Sequence, residues 1–281
     1  MTPNLQRKNL LAAWLIVALL ISSALLGCAG GLKGKGVFKS DASLPARHAV
    51  VLDQLVIHSD FNLPRQHRLL EDLRALRSAM RDKLGLKVSD EPIHVYLFED
   101  ERKYNAFCAA HFPQFPLRRA FFVQNDTSLA VYAQWGDRVA EDLRHEVAHG
   151  YLHSVLPEIP LWLDEGLAEY FETPRNAAGL NRPHVDWLMD QSTKGLWIPN
   201  LARLEQLTGA AEMSQTDYAE SWAWIHMLLE TIPPRRELLH AYLQAMQGGK
   251  PHEPLSVAIL KSTSEPNKAL MEHLTALSAK K

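Results

Sequence analysis

Apolar residues in the first half of the chain alternate with polar ones in short runs, a pattern typical of β-strands. The runs predict strands at 49–58, 93–98, 121–123 and 129–133, and the turn-forming residues 125–128 join the last two. Between the first two strands, apolar residues recur at helical spacing and predict a helix after Pro64 that ends at Gly85: Leu69, Leu70, Leu73, Leu76 and Met80. A short helix is expected at 99–110.

Beyond Gly136 the apolar spacing becomes helical almost throughout. It predicts helices at 138–155, 161–172, 183–190, 200–208, 216–231, 234–247 and 265–279. Prolines separate these segments, because proline lacks an N–H and its ring blocks the preceding helical turn. A mixed first half followed by a helical second half predicts an α+β fold, with an N-terminal lobe that carries a small sheet and an all-helical C-terminal lobe.

The N-terminus has a different pattern, an apolar run behind two cationic residues. The apolar segment 10–21 is shorter than the ~20 residues of a membrane-spanning helix. This arrangement is typical of a secretory signal peptide, here residues 1–27. Residues 25–28 read LLGC and resemble the bacterial lipobox, which implies cleavage before Cys28 and attachment of lipid to its thiol. An uncleaved signal anchor is the alternative.

Lipid attachment at Cys28 would fix the location of the protein. Because acyl chains hold a protein at a membrane surface without crossing the membrane, we expect a lipid-anchored protein of the bacterial cell envelope. The next residue is Ala29, and the sorting pattern of such lipoproteins then favours the periplasmic face of the outer membrane. We expect a flexible tether at 28–47, which is rich in glycine and lysine, and a folded domain at 48–281. Cys108 is expected to be a buried free thiol.

The overall composition excludes one class of partner. Hydrophobic residues make up 47% of the 281 residues, enough for a sizeable core, and the formal net charge is −2. Nucleic-acid-binding domains usually carry a basic excess or a basic patch, so we expect no nucleic-acid partner. The sequence contains no phosphate-binding loop, Ser-His-Asp signature or CxxC pair that would indicate another chemistry.

The strongest chemical signal is the sequence HEVAH at 145–149. On a helix, His145 and His149 point within about 40° of each other, so both rings can bind one metal ion. Glu146 is turned by about 100° from His145, which suits a general base that acts on a water molecule at the metal. The alternative is a solvent-exposed helix face that happens to carry two histidines.

A second motif, LWLDEGLAEY, follows at 161–170. Together, HEVAH and WLDEGLAEY resemble the gluzincin clan of metallopeptidases, which includes thermolysin-like enzymes and large aminopeptidases. The resemblance implies a zinc ion between the two lobes, bound by His145, His149 and Glu165, with Glu165 on a second, antiparallel helix. It also implies that Glu169 supports one of the zinc histidines, for which we expect His145. Exposed helix acids are the alternative, but the apolar neighbours of both glutamates make that arrangement costly without a cation.

The resemblance covers residues 121–172 and departs from the clan in two features. Fifteen residues separate His149 from Glu165, fewer than in the aminopeptidase branch, and no GxMEN-like segment for a free amino terminus is present. The resemblance therefore implies a zinc-dependent peptide-bond hydrolase, an endopeptidase with a peptide or protein substrate. Two alternatives stay open: a zinc-stabilised scaffolding or binding lipoprotein without turnover, and an amidase of cell-wall peptide. His₂Glu ligands favour zinc over manganese or cobalt.

Two further expectations come from the same resemblance. Clan members present an edge strand to the substrate, and the strand with Leu129, Val131 and Ala133 is the candidate here, with an ordinary sheet strand as the alternative. They also place a tyrosine or histidine of a later helix beside the metal, where it stabilises an oxyanion. Tyr218 is the candidate, with a packed aromatic residue as the alternative and His226 as the other choice. The remaining histidines are expected to be structural or exposed, with His153 at a helix end.

Overall fold

The computed structural model describes residues 42–156 and 158–280. The predicted signal peptide (1–27), the lipid-attachment residue Cys28 and the tether up to residue 41 lie outside the described residues, and these predictions stay predictions. No helix in the described ranges combines the length and the apolar content that crossing a membrane requires.

A five-stranded sheet forms the N-terminal part of the fold. Its strands are β1 (His48–Leu52), β2 (Leu55–Ser59), β3 (Ile93–Phe98), β4 (Ala120–Asn125) and β5 (Ser128–Gln134). They lie in the order β1-β2-β3-β5-β4. Strands β2, β3 and β5 run parallel, whereas β1 and β4 run antiparallel to their neighbours and form the two edges of the sheet.

One strand prediction is wrong, because the segment 49–58 folds as the two strands β1 and β2. Asp53 turns the chain with a φ of 52°, a left-handed conformation that aspartate tolerates better than most residues. The hairpin pairs Leu52 with Leu55. A two-residue turn inside an apolar run leaves the alternation almost unchanged, so the pattern alone does not reveal it.

Helices make up most of the remaining described residues. They are α1 (Arg68–Leu84), α2 (Glu101–His111), α3 (Val139–His153), α4 (Leu161–Phe171), α5 (Arg182–Thr193), α6 (Leu201–Leu204), α7 (Gln215–Glu230), α8 (Pro233–Gln247), α9 (Leu255–Ser262) and α10 (Pro266–Ser278). The sequence did not predict α9, whose eight residues are too few to establish a helical period. A mixed first half and a helical second half confirm the α+β prediction.

Close packing at two glycines holds α3 and α4 in place. Helix α3 packs on β4 and β5 and also on α4, which in turn packs on α7. A Cβ on Gly150 would lie 2.9 Å from Ile93 Cγ2, and a Cβ on Gly166 would lie 2.7 Å from the carbonyl oxygen of Ser221. These glycines directly follow His149 and Glu165 in the sequence, so the tight packing fixes the backbone beside a predicted ligand on each helix.

Candidate metal centre

His145, His149 and Glu165 come together where α3 packs against α4. The Nε2 atoms of the two histidines lie 3.2 Å apart. Glu165 Oε2 lies 3.6 Å from Nε2 of His145 and 3.7 Å from Nε2 of His149. Ligand atoms around a tetrahedral zinc ion, at ~2.0–2.1 Å from the metal, stand about 3.3 Å from one another. The three atoms therefore fit a single ion and could hold one.

The burial of Glu165 supports a cation at this position. Its side chain is 0% exposed, and neither carboxylate oxygen accepts a hydrogen bond from the described residues. A buried carboxylate without such partners is costly. Two protonated imidazoles would offer compensating charge, but their facing nitrogens would then repel each other at 3.2 Å. One shared metal ion would satisfy all three side chains.

The prediction that Glu169 holds His145 is wrong, because Glu172 takes that role. Glu172 Oε2 lies 3.0 Å from Nδ1 of His145, which leaves Nε2 of the ring for a metal. Glu169 instead contacts Nε2 of His184 at 2.8 Å. Asn181 donates hydrogen bonds to Glu172 at 3.0 Å and to Glu169 at 3.4 Å. Because α5 supplies a partner for Glu169, Glu172, which directly follows α4, is the acid that supports His145.

These two acids have opposite ionisation behaviour. Burial and the charge of Glu169 raise the pKa of Glu172. Burial acts in the same direction on Glu169, but the nearby imidazole of His184 outweighs it and lowers the pKa of Glu169. For His145, burial would lower the pKa, yet Glu165 and Glu172 together raise it in the metal-free protein. The imidazole therefore sits in a field that favours a positive charge.

His149 has its own acidic neighbour, Asp164, for which the sequence analysis predicts no role. Asp164 Oδ1 lies 3.0 Å from Nδ1 of His149, an ion-pair distance without the alignment of a hydrogen bond. Asp164 Oδ2 lies 3.0 Å from Nε2 of His153, whose Nδ1 contacts Gln124 of β4 at 2.5 Å. Burial opposes ionisation of Asp164, but the two imidazoles hold its pKa below the ordinary value. His153 does end α3, and it also links α3, α4 and the sheet.

Glu146 lies in the environment expected of a general base. Its side chain is buried. Burial raises the pKa of its carboxyl, and the imidazoles of His145 and His149 oppose that shift. A carboxylate whose pKa is moved towards neutrality takes up a proton more readily than an exposed one.

The two candidates for the oxyanion donor lie in different surroundings. Tyr218 is buried near the start of α7 and packs with Met213. It lies close to Arg118, which is also close to Glu146, so Tyr218 belongs to the site region and its role stays a prediction. His226 instead contacts His273, with the two ring nitrogens 2.9 Å apart.

The predicted substrate strand is wrong in its position. Strand β5, with Leu129, Val131 and Ala133, pairs with β3 on one side and with β4 on the other. It therefore has no free edge for a substrate. The edge is β4, and its Phe122 ring lies 6.1 Å from the His149 ring. Both strands belong to one hairpin, and the sequence does not indicate which of them turns outward.

Comparisons with known proteins give distant likenesses. No family model and no curated protein matches the chain. Among solved structures, an M1 zinc metallopeptidase from Deinococcus radiodurans is 18% identical over 82% of this chain and 51% of its own, with a TM-score of 0.43. A mutant of that enzyme bound to a Tyr-Ser-Ala substrate is 18% identical over 79% of this chain and 49% of its own, with a TM-score of 0.41. The chain spans about half the length of these two structures.

Proposed function

We propose that the protein is a zinc-dependent hydrolase of peptide bonds. The observation that carries the proposal is the buried carboxylate of Glu165, which accepts no hydrogen bond from the described residues. It lies within 3.7 Å of the facing nitrogens of His145 and His149. His₂Glu with an open fourth position is the ligand set of catalytic zinc in hydrolases. These three residues would hold the ion.

The chemistry divides between the ion and the side chains around it. Zinc in such a site acts as a Lewis acid that polarises a carbonyl group and acidifies water. Glu146 would accept a proton from water at its carboxylate and return it to the leaving nitrogen. Glu172 fixes the orientation of His145 through Nδ1, and Asp164 lies against Nδ1 of His149. Partners of this kind keep the opposite nitrogen of each ring turned towards the metal.

The sheet edge supports a peptide as the substrate. Strand β4 forms the edge of the sheet, and α3, which carries HEVAH, packs against it. An extended peptide can add to such an edge through backbone hydrogen bonds. A scaffolding protein that used the metal only to stabilise its fold would gain nothing from a buried base such as Glu146. This residue therefore favours a hydrolase over a scaffolding protein.

The test compares cleavage by the zinc-loaded full chain, purified in detergent, with cleavage by its Glu146→Gln variant. Wild-type protein should cleave members of a mixed peptide library. The variant should be about 10²–10⁴-fold slower, because general base catalysis contributes a factor of that size. Glu141→Gln, the same substitution five residues earlier on α3, is the matched control and should keep full activity.

Zinc content measured in all three proteins separates the outcomes. Equal cleavage by the Glu146→Gln variant would refute the assignment of the base. Absence of cleavage by every protein, with one zinc ion bound to each, would favour a zinc-stabilised binding protein.

A further inference from the structure

Arg118 is a partly buried residue whose two terminal guanidinium nitrogens are buried near the predicted metal ligands. It lies just before β4, and both of its terminal nitrogens are buried and donate no hydrogen bond to any described residue. Its neighbour Arg119, in contrast, donates two hydrogen bonds to Asp142, at 2.9 and 2.6 Å. A guanidinium is always charged and carries five donors, so leaving its donors buried and unused is costly.

The charge of Arg118 acts on the catalytic residues. Its guanidinium lies close enough to Glu146 and Glu165 for its positive charge to interact with both carboxylates, and Tyr218 and Tyr104 are in its surroundings. None of these interactions uses its terminal N–H donors. The hydroxyl oxygen of Tyr104 is likewise buried without a hydrogen-bond partner among the described residues. A cation and a neighbouring hydroxyl with unused donors would both be satisfied by one anionic acceptor.

We infer that Arg118 forms a carboxylate-binding subsite for the peptide substrate, with Tyr104 as a further donor. A planar guanidinium matches a carboxylate through two parallel N–H···O bonds, which a peptide carbonyl cannot provide. This inference rests on the proposed peptide hydrolysis and narrows the substrate to peptides that carry a carboxylate near the scissile bond.

The position of Arg118 determines which carboxylate of a bound peptide can reach it, depending on whether the peptide runs parallel or antiparallel to β4. Arg118 lies at the beginning of the edge strand β4. A peptide that adds antiparallel to β4 would bring its C-terminal side to this end, where its terminal carboxylate can meet the guanidinium. A peptide that adds parallel would meet Arg118 with its N-terminal side, and only an acidic side chain could then supply the carboxylate. Amidation of the C-terminus or removal of Asp and Glu therefore separates the two sources of the carboxylate.

The experiment measures capture of peptides by full-length, zinc-loaded protein that carries Glu146→Gln, so that bound peptides are not consumed. Three pools of short mixed peptides are offered. The first lacks Asp and Glu and has free C-termini, the second contains the same sequences as C-terminal amides, and the third contains amides with one Asp or Glu. Captured peptides are quantified by mass spectrometry. We expect one carboxylate pool to be captured about 10- to 100-fold more than the pool without carboxylates, because hydrogen bonds between charged groups contribute that much to affinity.

Substitution of Arg118 in the same background tests the residue itself. Arg118→Gln should remove the preference and keep stoichiometric zinc. Arg118→Lys, which keeps the charge and loses the planar fork, should retain part of it. Arg138→Gln, the same change of charge at an exposed position before α3, is the matched control and should keep it in full. If the glutamine variant does not fold, the lysine variant carries the test.

Each outcome is decisive for one of the two proposals. Preference for the first pool identifies a terminal carboxylate, and preference for the third identifies an acidic side chain. Equal capture of all pools, or a preference that survives Arg118→Gln, would overturn the subsite. If wild-type protein cleaves peptides without any such preference, the hydrolase stands and the subsite falls. If capture shows the preference and wild-type protein cleaves nothing, the subsite stands and the hydrolase falls.

Discussion

Two pairs of histidines, one buried and one partly buried, have similar spacing and opposite surroundings. The facing nitrogens of His145 and His149 are 3.2 Å apart, and those of His226 and His273 are 2.9 Å apart. Acids surround the first pair: Glu165, Glu172 and Asp164. Cations predominate around the second pair, namely Lys83, Arg235 and Lys280, and the nearby acid Glu230 binds Lys83 and Tyr170.

Two closely spaced imidazoles therefore do not by themselves indicate a metal site, and the acids around them distinguish the two pairs. Burial would lower the pKa of all four histidines. Around His145 and His149 the carboxylates outweigh burial and raise both pKa values. Around His226 and His273 burial and cations act together and lower both pKa values to about 4. A dication is therefore stabilised at the first pair and repelled at the second.

The largest expected effect comes from removing the ligand carboxylate of the first pair. Glu165→Ala should lower zinc affinity by more than about 100-fold, because a direct ligand is lost. Loss of a residue that only supports a ligand through a hydrogen bond costs at most about that factor. His226→Ala should leave zinc affinity unchanged. Competition with a chromophoric chelator and metal analysis by mass spectrometry measure both. Normal zinc binding by the Glu165 variant, or loss of zinc in the His226 variant, would contradict the distinction between the two histidine pairs.

A smaller effect should distinguish Glu169, on α4, from Glu172, the residue that directly follows α4. Glu172→Gln should weaken zinc binding about 10- to 100-fold, because this side chain accepts the hydrogen bond that orients His145. Glu169→Gln should weaken it less, since Glu169 contacts His184 instead. The same chelator competition ranks the two variants. The reverse order would return the supporting role to Glu169.

Much of the ligand arrangement follows from the sequence, because helical periodicity is a local property. HEVAH and the acid of LDEG lie on helices whose apolar spacing is plain, and two residues four apart on a helix must share a face. Helical periodicity also predicts the position of Glu172. It lies seven residues, about two helical turns, beyond Glu165 and therefore on the same face.

The other features depend on contacts between distant segments. Glu169 is engaged by His184 of α5, which no spacing within α4 could indicate. Whether β4 or β5 forms the sheet edge is decided by which of them pairs with β3. Arg118 precedes β4 and belongs to no sequence motif, and only the folded chain reveals that its terminal nitrogens are buried. Tertiary partners of this kind escape local patterns.

The smallest expected effect concerns the second histidine pair and the stability of the fold in acid. His226 has a pKa of about 4 in the folded protein, against ~6.5 in the unfolded chain. Between these values the unfolded state binds more protons, so the free energy of unfolding falls as the pH falls from about 6.5 to 4. His226→Gln removes one such group. It should reduce the loss of stability between pH 7 and pH 5 by roughly 1–2 kcal/mol, after allowance for partial solvent screening. Urea denaturation at both pH values, with exposed His48→Gln as the control, measures the difference. An equal loss of the free energy of unfolding in the His226 variant and the wild type would mean that this pair is protonated in the folded protein. The cations around it would then not set it apart from the pair of His145 and His149.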